Sequence, residues 1–262
     1  MTRTYSFARF GILVAAGALI AATTAGAARP QETQQSTPSV VLIHGAWADG
    51  SSWSKVIPRL EAKGLKVVAV QLPLTSLADD VATVKRAIAL EPGPVLLVAH
   101  SYGGVVMTEA GNDPKVVGLV YVAAFAPTEG QSAFELANAN PTPILQQLAL
   151  DQSGFLKITP AGVRESFAQD LSAAEQTVLT AAQSPTAAQG SLSSPVSSAA
   201  WRNKPSWFVI AAQDRVVSPA LQAREAEQMK ATAITVQASH VAMLSQPSVV
   251  ATFIGKAARG QR

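Results

Sequence analysis

Short apolar, β-branched runs alternate along the chain with longer segments in which apolar residues recur at helical spacing. Each run is short enough for a buried strand and is apolar on both faces. The predicted strands are Val40–Ile43, Lys66–Val70, Val95–Ala99, Val117–Val122, Trp207–Ala211 and Ile234–Gln237. The predicted helices between them are Trp53–Ala62, Leu77–Leu90, Tyr102–Ala110 and Pro219–Lys230. This alternation predicts an α/β fold with a mostly parallel six-stranded sheet flanked by helices.

One long segment interrupts the alternation. Residues 127–204 contain no run typical of a strand and are rich in Ala, Gln, Ser and Leu. A structureless loop of that length is uncommon within one domain, so we predict a helical cap over one end of the sheet. Its predicted helices are Thr142–Leu150 and Ala173–Ala182.

The first residues have the pattern of an export signal. Arg3 and Arg9 give a basic start, and an uncharged run then continues to Ala28 and ends in small residues. The most apolar part of the run is shorter than the roughly 20 residues that a membrane-spanning helix needs. We therefore predict a signal peptide over residues 1–27, cut after Ala27 or Ala28, and a periplasmic or secreted chain without stable membrane insertion after cleavage. The alternative is an uncleaved N-terminal anchor.

Residues 28–38 are rich in Pro, Gln, Thr and Ser and predict a flexible linker. The remaining residues, 39–262, form one predicted domain, since roughly 220 residues bury a sizeable core without disulfides. The chain has no Cys, and its formal net charge of +3 falls to +1 when Arg3 and Arg9 are removed. Because Lys and Arg do not cluster, we expect no nucleic-acid partner.

A serine follows the predicted strand Val95–Ala99, at the sheet edge where α/β folds bind ligands. The motif Ala-His-Ser-Tyr-Gly-Gly places this serine, Ser101, between that strand and a predicted helix. A sharp strand-to-helix turn strains the central residue and needs small neighbours two positions away, as Ala99 and Gly103 are. Ser101 is therefore the predicted nucleophile. The alternative is a serine in an ordinary Gly-rich turn.

A serine hydroxyl needs a base within hydrogen-bond reach to become a nucleophile at neutral pH. The chain has three His residues. His100 precedes Ser101 in the turn, where its side chain is expected to point away, and His44 is expected to brace the loop after the first strand. His240 follows the last strand at the same sheet edge as Ser101, so it is the predicted base.

A carboxylate is then needed to orient the base. Asp214 lies three residues beyond the predicted strand Trp207–Ala211, at the same edge, and is the predicted acid. The alternatives for Asp214 are a helix cap or a pair with Arg215. Glu129, after the neighbouring strand, is the alternative acid.

An oxyanion formed at a carbonyl needs two N–H donors, one after the nucleophile and one from the loop after an earlier strand. Tyr102 supplies the first predicted donor. In the His-Gly-Ala-Trp motif after the first strand, Gly45 permits a sharp turn, and Ala46 supplies the second donor.

Four motifs together resemble the α/β-hydrolase superfamily. They are His-Gly-Ala-Trp, Ala-His-Ser-Tyr-Gly-Gly, Ala-Gln-Asp-Arg-Val-Val and a Ser-His pair near the end of the chain. The similarity extends from Val40 to Ile254 and is greatest to small esterases related to plant methyl-ester esterases and hydroxynitrile lyases. The resemblance implies the chain order nucleophile, acid, base, which Ser101, Asp214 and His240 follow.

The lyases of this branch have Thr at the position of Gly45 and Lys directly after the catalytic His, where this chain has Val241. These differences disfavour cyanohydrin cleavage. The resemblance implies a serine carboxylic-ester hydrolase that works through an acyl-enzyme, without a metal or organic cofactor. Apolar residues in and near the cap favour small, apolar esters; they are Phe125, Phe134, Leu145, Leu148, Phe155 and Phe167. The alternatives are an acyltransferase or perhydrolase with the same acyl-enzyme, and a non-catalytic small-molecule binding protein.

Overall fold

Every predicted strand is present in the computed structural model, which describes residues 1–4 and 37–260. Numbered in chain order with the cap strands included, the central strands are β1 (Ser39–Ile43), β2 (Val67–Ala69), β3 (Val95–His100), β4 (Val116–Val122), β8 (Ser206–Ala211) and β9 (Thr232–Val236). They lie in the order β2-β1-β3-β4-β8-β9, and every neighbouring pair is parallel. The predicted α/β fold is confirmed.

Residues 5–27 of the predicted signal peptide and residues 28–36 of the predicted linker lie outside the described residues. The chain divides into two units, Met1–Gln35 and Ser36–Arg262. All strands and helices described belong to the second unit. No helix in the described part of the chain is long and apolar enough to cross a membrane.

Helices flank the sheet. They are α1 (Ile57–Glu61), α2 (Leu77–Leu90), α3 (Gly103–Ala110), α7 (Pro219–Gln228), α8 (Ala242–Ser245) and α9 (Pro247–Ala258). Helix α1 packs against α9, and α2 packs against α3. The helix predicted at Trp53–Ala62 is shorter than expected, because a 3-10 turn occupies Gly50–Trp53. Helix α1 begins at Ile57, and Pro58 suits its first turn, where the missing N–H of proline costs nothing.

The cap differs from the prediction because it contains a small sheet as well as helices. Its strands are β5 (Leu148–Leu150), β6 (Phe155–Ile158) and β7 (Thr186–Ala187), and they pair antiparallel in that order. Its helices are α4 (Ala133–Ala139), α5 (Pro160–Gly162) and α6 (Ala173–Ala181). The helix predicted at Ala173–Ala182 is therefore present as α6, and a Ser172–Glu175 capping box begins it.

The helix predicted at Thr142–Leu150 is wrong. A 3-10 turn occupies Pro143–Gln146, and the chain then enters β5. Turn chemistry explains the difference: the Asp151 carboxylate accepts hydrogen bonds from the N–H groups of Ser153 (2.8 Å) and Phe155 (2.9 Å). Gly154 adopts the left-handed conformation, with φ 83°. This Asp-to-Gly turn closes a hairpin that pairs β5 with β6.

Helix α7, which packs against β8, carries a buried carboxylate. Glu225 is only 5% exposed. Burial raises the pKa of Glu225 to about 8, and contacts with the Ala126 main chain and the Arg224 charge oppose the shift only in part. Folding therefore holds this group protonated at neutral pH.

We expect Glu225→Gln to raise the free energy of unfolding relative to wild type by an amount that grows as pH rises. The pKa of Glu225 is about 8 in the folded chain, against about 4.3 for an unperturbed Glu. A group whose pKa is raised by folding contributes stability below its unfolded pKa and loses that contribution as pH rises through its folded pKa. Urea unfolding at pH 4, 6 and 8 measures the free energy of unfolding of both chains.

The difference between variant and wild type should grow between about pH 4.3 and pH 8. Glu227→Gln is the control, because it changes an exposed carboxylate on the same helix. A stability difference that stays constant across this range contradicts the assignment.

Candidate active site

Ser101 forms the turn between β3 and α3 with a left-handed backbone, φ 54°. Such a conformation costs a non-glycine residue about 1–3 kcal/mol and persists only where its surroundings enforce it. The surroundings are tight: a Cβ at Gly103 would lie 2.5 Å from the His44 carbonyl oxygen, and one at Gly104 would lie 2.2 Å from the Phe125 carbonyl oxygen. The main chain after Ser101 therefore packs directly against the loops that follow β1 and β4.

His240 and Asp214 are joined by a hydrogen bond between two completely buried side chains. Nδ1 of His240 donates to Oδ2 of Asp214 at 2.8 Å. Among the described residues, none hydrogen-bonds to Nε2 of His240. With the proton on Nδ1, Nε2 carries the lone pair that a general base needs.

The Asp214 carboxylate is held by further donors. Oδ1 accepts from the N–H groups of Val216 (2.7 Å) and Val217 (3.0 Å). Oδ2 accepts from Nε2 of Gln222 at 2.8 Å as well as from His240. These bonds fix the direction from which Asp214 meets the imidazole. Sequence reasoning missed Gln222, because a glutamine on a helix has no signature that reveals its partner.

Glu129, the alternative acid, takes no part in this arrangement. It forms an ion pair with Arg202 (2.7 Å), and both side chains are more than 40% exposed. The Arg202 guanidinium lowers the pKa of Glu129 to about 2. Glu129 is therefore a surface carboxylate that links the start of the cap to its end.

His100 lies against His240, which the sequence did not predict. Its Nε2 donates to the main-chain carbonyl of His240 at 3.0 Å, and the two ring centroids are 4.5 Å apart. Burial lowers the pKa of His100 well below its usual value, so the ring stays neutral. Phe167 of the cap packs on His240 as well, with ring centroids 5.3 Å apart.

His44 braces the loop after β1. Its Nδ1 donates to the Gly45 carbonyl at 2.8 Å, and its Nε2 accepts from the Leu72 N–H at 2.9 Å. Burial lowers the pKa of His44, which favours the neutral ring that these two roles require. Because C=O and N–H point in opposite directions across a trans peptide, this bond turns the Ala46 N–H away from His44.

The loop after β1 touches the turn at Ser101. A Cβ at Gly45 would lie 2.7 Å from the Cβ of Ser101, so only glycine fits there. Within the described chain, neither the Ala46 N–H nor the Tyr102 N–H donates to another protein group. Both are predicted oxyanion donors.

Ser101 lines a small cavity between the sheet edge and the cap. No charged side chain of the described residues lines it. Its other lining residues are Ala46, Trp47, Tyr102, Phe125, Ala133, Phe134, Ala137, Ile144, Leu145, Leu148, Leu192 and Val216. Across residues 1–4 and 37–260, His, Asp and Glu form no group of three or more that could hold a metal ion.

Comparison with known families agrees with this fold and its motifs. The Alpha/beta hydrolase family matches residues 40–253. The chain belongs to this family, as its motifs predicted.

Individual relatives narrow the class of enzyme. Alpha/beta hydrolase nvfD of Aspergillus novofumigatus (strain IBT 16806) is 26% identical over 246 residues, which are 84% of this chain and 96% of that protein. Methylesterase 7 of Arabidopsis thaliana is 34% identical over 127 residues, 42% of this chain and 44% of its own. A solved pyrethroid hydrolase from Sphingobium faniae JZ-2 has a TM-score of 0.73 at 22% identity, covering 85% of this chain and 97% of its own. The chain is an enzyme of the carboxylesterase type.

We expect Asp214→Asn to lower kcat by about 10³–10⁴-fold with little change in KM. The oxygen of the introduced amide would keep the N–H groups of Val216 and Val217, which turns the amide NH₂ towards His240. That contact favours the imidazole tautomer with the proton on Nε2, which cannot accept a proton from serine. Steady-state hydrolysis of a p-nitrophenyl ester measures both constants.

Glu129→Gln is the matched control, because it neutralises the other carboxylate considered for this role. Its kcat should equal that of wild type. An undiminished kcat in Asp214→Asn, or an equal loss in both variants, contradicts the assignment of the acid.

Proposed function

We propose that the chain is a serine carboxylic-ester hydrolase that acts on small, apolar esters through Ser101, His240 and Asp214. The observation that carries the proposal is the buried His240–Asp214 hydrogen bond, which leaves Nε2 of the imidazole without a partner among the described residues. The strained turn at Ser101 and the unbonded N–H groups of Ala46 and Tyr102 add support. Together these groups supply a nucleophile, a base, an orienting acid and oxyanion donors.

In the acylation half-reaction, Nε2 of His240 takes the proton of the Ser101 hydroxyl as Oγ attacks the ester carbonyl carbon. The carbonyl oxygen becomes an oxyanion and accepts hydrogen bonds from the N–H groups of Ala46 and Tyr102. Collapse of the tetrahedral intermediate breaks the bond to the alkoxy oxygen, which leaves as an alcohol with the proton from His240. Asp214 stabilises the imidazolium that exists between these two transfers.

Deacylation repeats the same steps with water. His240 takes a proton from the water molecule as its oxygen attacks the acyl carbon. The second tetrahedral intermediate expels Oγ of Ser101, which recovers its proton from His240, and the carboxylic acid leaves. Ser101 and His240 return to their starting protonation states.

The lining of the cavity supports an uncharged, apolar substrate. A carboxylate or ammonium group that entered it would lose hydration without gaining a charged partner, which is strongly unfavourable. The name of one relative, a methylesterase, also denotes an enzyme that acts on esters. We propose uncharged, apolar esters as the substrate class of this chain.

The protein should hydrolyse the p-nitrophenyl ester of 5,5-dimethylhexanoate at least about 100-fold faster, in kcat/KM, than the p-nitrophenyl ester of 4-(trimethylammonio)butyrate. The two acyl groups have the same shape, but the second carries a quaternary ammonium nitrogen where the first carries a quaternary carbon, and neither can attack its own ester. Release of p-nitrophenolate measures both rates.

Ser101→Ala is the control, and it should reduce hydrolysis of both esters to the background rate while its melting temperature stays near that of wild type. Equal rates on both esters would overturn the apolar substrate class. Hydrolysis that persists in Ser101→Ala would overturn the mechanism, and a wild-type protein that binds esters without turning them over would be a binding protein.

We also propose that the chain is exported, with residues 1–27 as a cleaved signal peptide. The basic start, the uncharged run and the small residues at its end support this. N-terminal sequencing of the protein from a periplasmic or culture fraction should give a chain that begins at Ala28 or Arg29. An intact N-terminus would contradict cleavage.

A further inference from the structure

The cap is hydrogen-bonded to the loop that carries Ala46, one proposed oxyanion donor. Trp47, directly after Ala46, has a left-handed backbone, φ 58°. Its main-chain N–H donates to Oγ1 of Thr186 at 3.1 Å, and its indole N–H donates to the Leu156 carbonyl at 3.0 Å. Thr186 lies in β7 and Leu156 in β6, so the cap sheet holds both the main chain and the side chain of Trp47.

The same cap strand is tied to a second loop. The N–H of Ala187, next to Thr186 in β7, donates to the Leu74 carbonyl at 2.9 Å. Leu74 also has a left-handed backbone, φ 57°. Its own N–H donates to Oδ1 of Asp80 at 2.8 Å. Asp80 on α2 is completely buried, so this link is shielded from water.

Asp80 completes the connection to the other proposed donor. The Tyr102 hydroxyl donates to Oδ2 of Asp80 at 2.8 Å. Tyr102 is the residue whose main-chain N–H we assign to the oxyanion. Hydrogen bonds to a carboxylate are roughly twice as strong as those between neutral groups. A continuous hydrogen-bonded path therefore runs from Tyr102 to Trp47.

We propose that this path, which we call the oxyanion brace, sets the separation of the Ala46 and Tyr102 N–H groups. The brace consists of Asp80, Leu74, Ala187 and Thr186. Thr186 is its positioning residue at the Ala46 end, acting through Trp47 and touching no substrate. The inference rests on the proposed function, because it assigns the two N–H groups to an oxyanion.

Thr186 is the link whose loss has the clearest consequence. Its side chain is completely buried, so without Oγ1 the Trp47 N–H would be a buried donor without a partner. Without this bond, the left-handed backbone of Trp47 is expected to relax. Because Ala46 is the residue before Trp47, its N–H would move as well. Displacing a catalytic group by about 1 Å costs as much as 100-fold in rate. The loss falls on the transition state rather than on substrate binding, because the bound ester has no oxyanion and the transition state has one in formation.

Thr186→Val and Thr186→Ser form the matched pair that tests the brace. Valine keeps the shape of threonine and removes the acceptor, whereas serine keeps the acceptor. We expect Thr186→Val to lower kcat for p-nitrophenyl butyrate at least about tenfold, which is less than the 10²–10³-fold lost when an oxyanion donor is removed outright. KM should change by less than about threefold, and Thr186→Ser should stay within about threefold of wild type.

The affinity for an alkyl trifluoromethyl ketone distinguishes positioning of the oxyanion donors from a general structural role of Thr186. It forms a tetrahedral adduct with serine hydrolases whose oxygen occupies the oxyanion site. Its affinity should fall in Thr186→Val by the same factor as kcat, while the affinity of the parent methyl ketone should stay unchanged.

Tyr102→Phe tests the other end of the brace if Thr186→Val fails to fold. It removes the hydroxyl that reaches Asp80 and keeps the main-chain N–H, so kcat and trifluoromethyl ketone affinity should again fall together. Wild-type kcat in folded Thr186→Val or Tyr102→Phe overturns the brace. Parallel losses of affinity for both ketones also overturn it. A wild-type protein that neither hydrolyses the ester nor binds the trifluoromethyl ketone would instead overturn the proposed function.

Discussion

The main chain around Ser101 passes so close to its neighbours that side chains are excluded on both sides of the turn. The loop after β1 approaches at Gly45, and the loops after β1 and β4 approach Gly103 and Gly104. This three-way contact enforces the left-handed conformation of Ser101. Ala46 and Tyr102, which are far apart in sequence, line the same cavity as Ser101. The rest of the site is arranged around this contact.

Two sets of residues hold the loops around the turn. Two neutral imidazole rings form the first set: His44 orients the Gly45–Ala46 peptide, and His100 hydrogen-bonds to the main chain of His240. The cap supplies the second set, with Phe167 against His240 and Thr186 bonded to the Trp47 main chain. The cap therefore does more than enclose an apolar cavity, because it contacts both the proposed base and the loop of a proposed oxyanion donor.

Sequence reasoning was most successful where local pattern and sheet geometry coincide. Apolar runs predict the strands. The carboxyl ends of parallel strands meet at one edge, so the same runs predict that Asp214 and His240 lie close together, and the two side chains are in contact. It failed in the cap at Leu148–Leu150, where the hairpin depends on the Asp151 turn rather than on periodicity.

The contacts of the supporting residues could not be predicted from the sequence for a different reason. The direction of the His100 side chain depends on packing against His240, which is 140 residues away. Thr186 meets Trp47 across 139 residues. Gln222 reaches Asp214 from within a helix whose pattern shows only that one face is buried. Such contacts arise from tertiary packing, and no single-sequence signal specifies them.

The most direct test of a nucleophile at Ser101 is covalent labelling. The wild-type protein would be treated with a fluorophosphonate at neutral pH, digested and mapped by mass spectrometry. We predict one adduct, on Ser101, and far slower labelling in Asp214→Asn. Ser239 is the internal comparison, since it is a completely buried serine directly beside His240. An adduct on Ser239 or on any residue other than Ser101, or no adduct at all, would contradict the central claim.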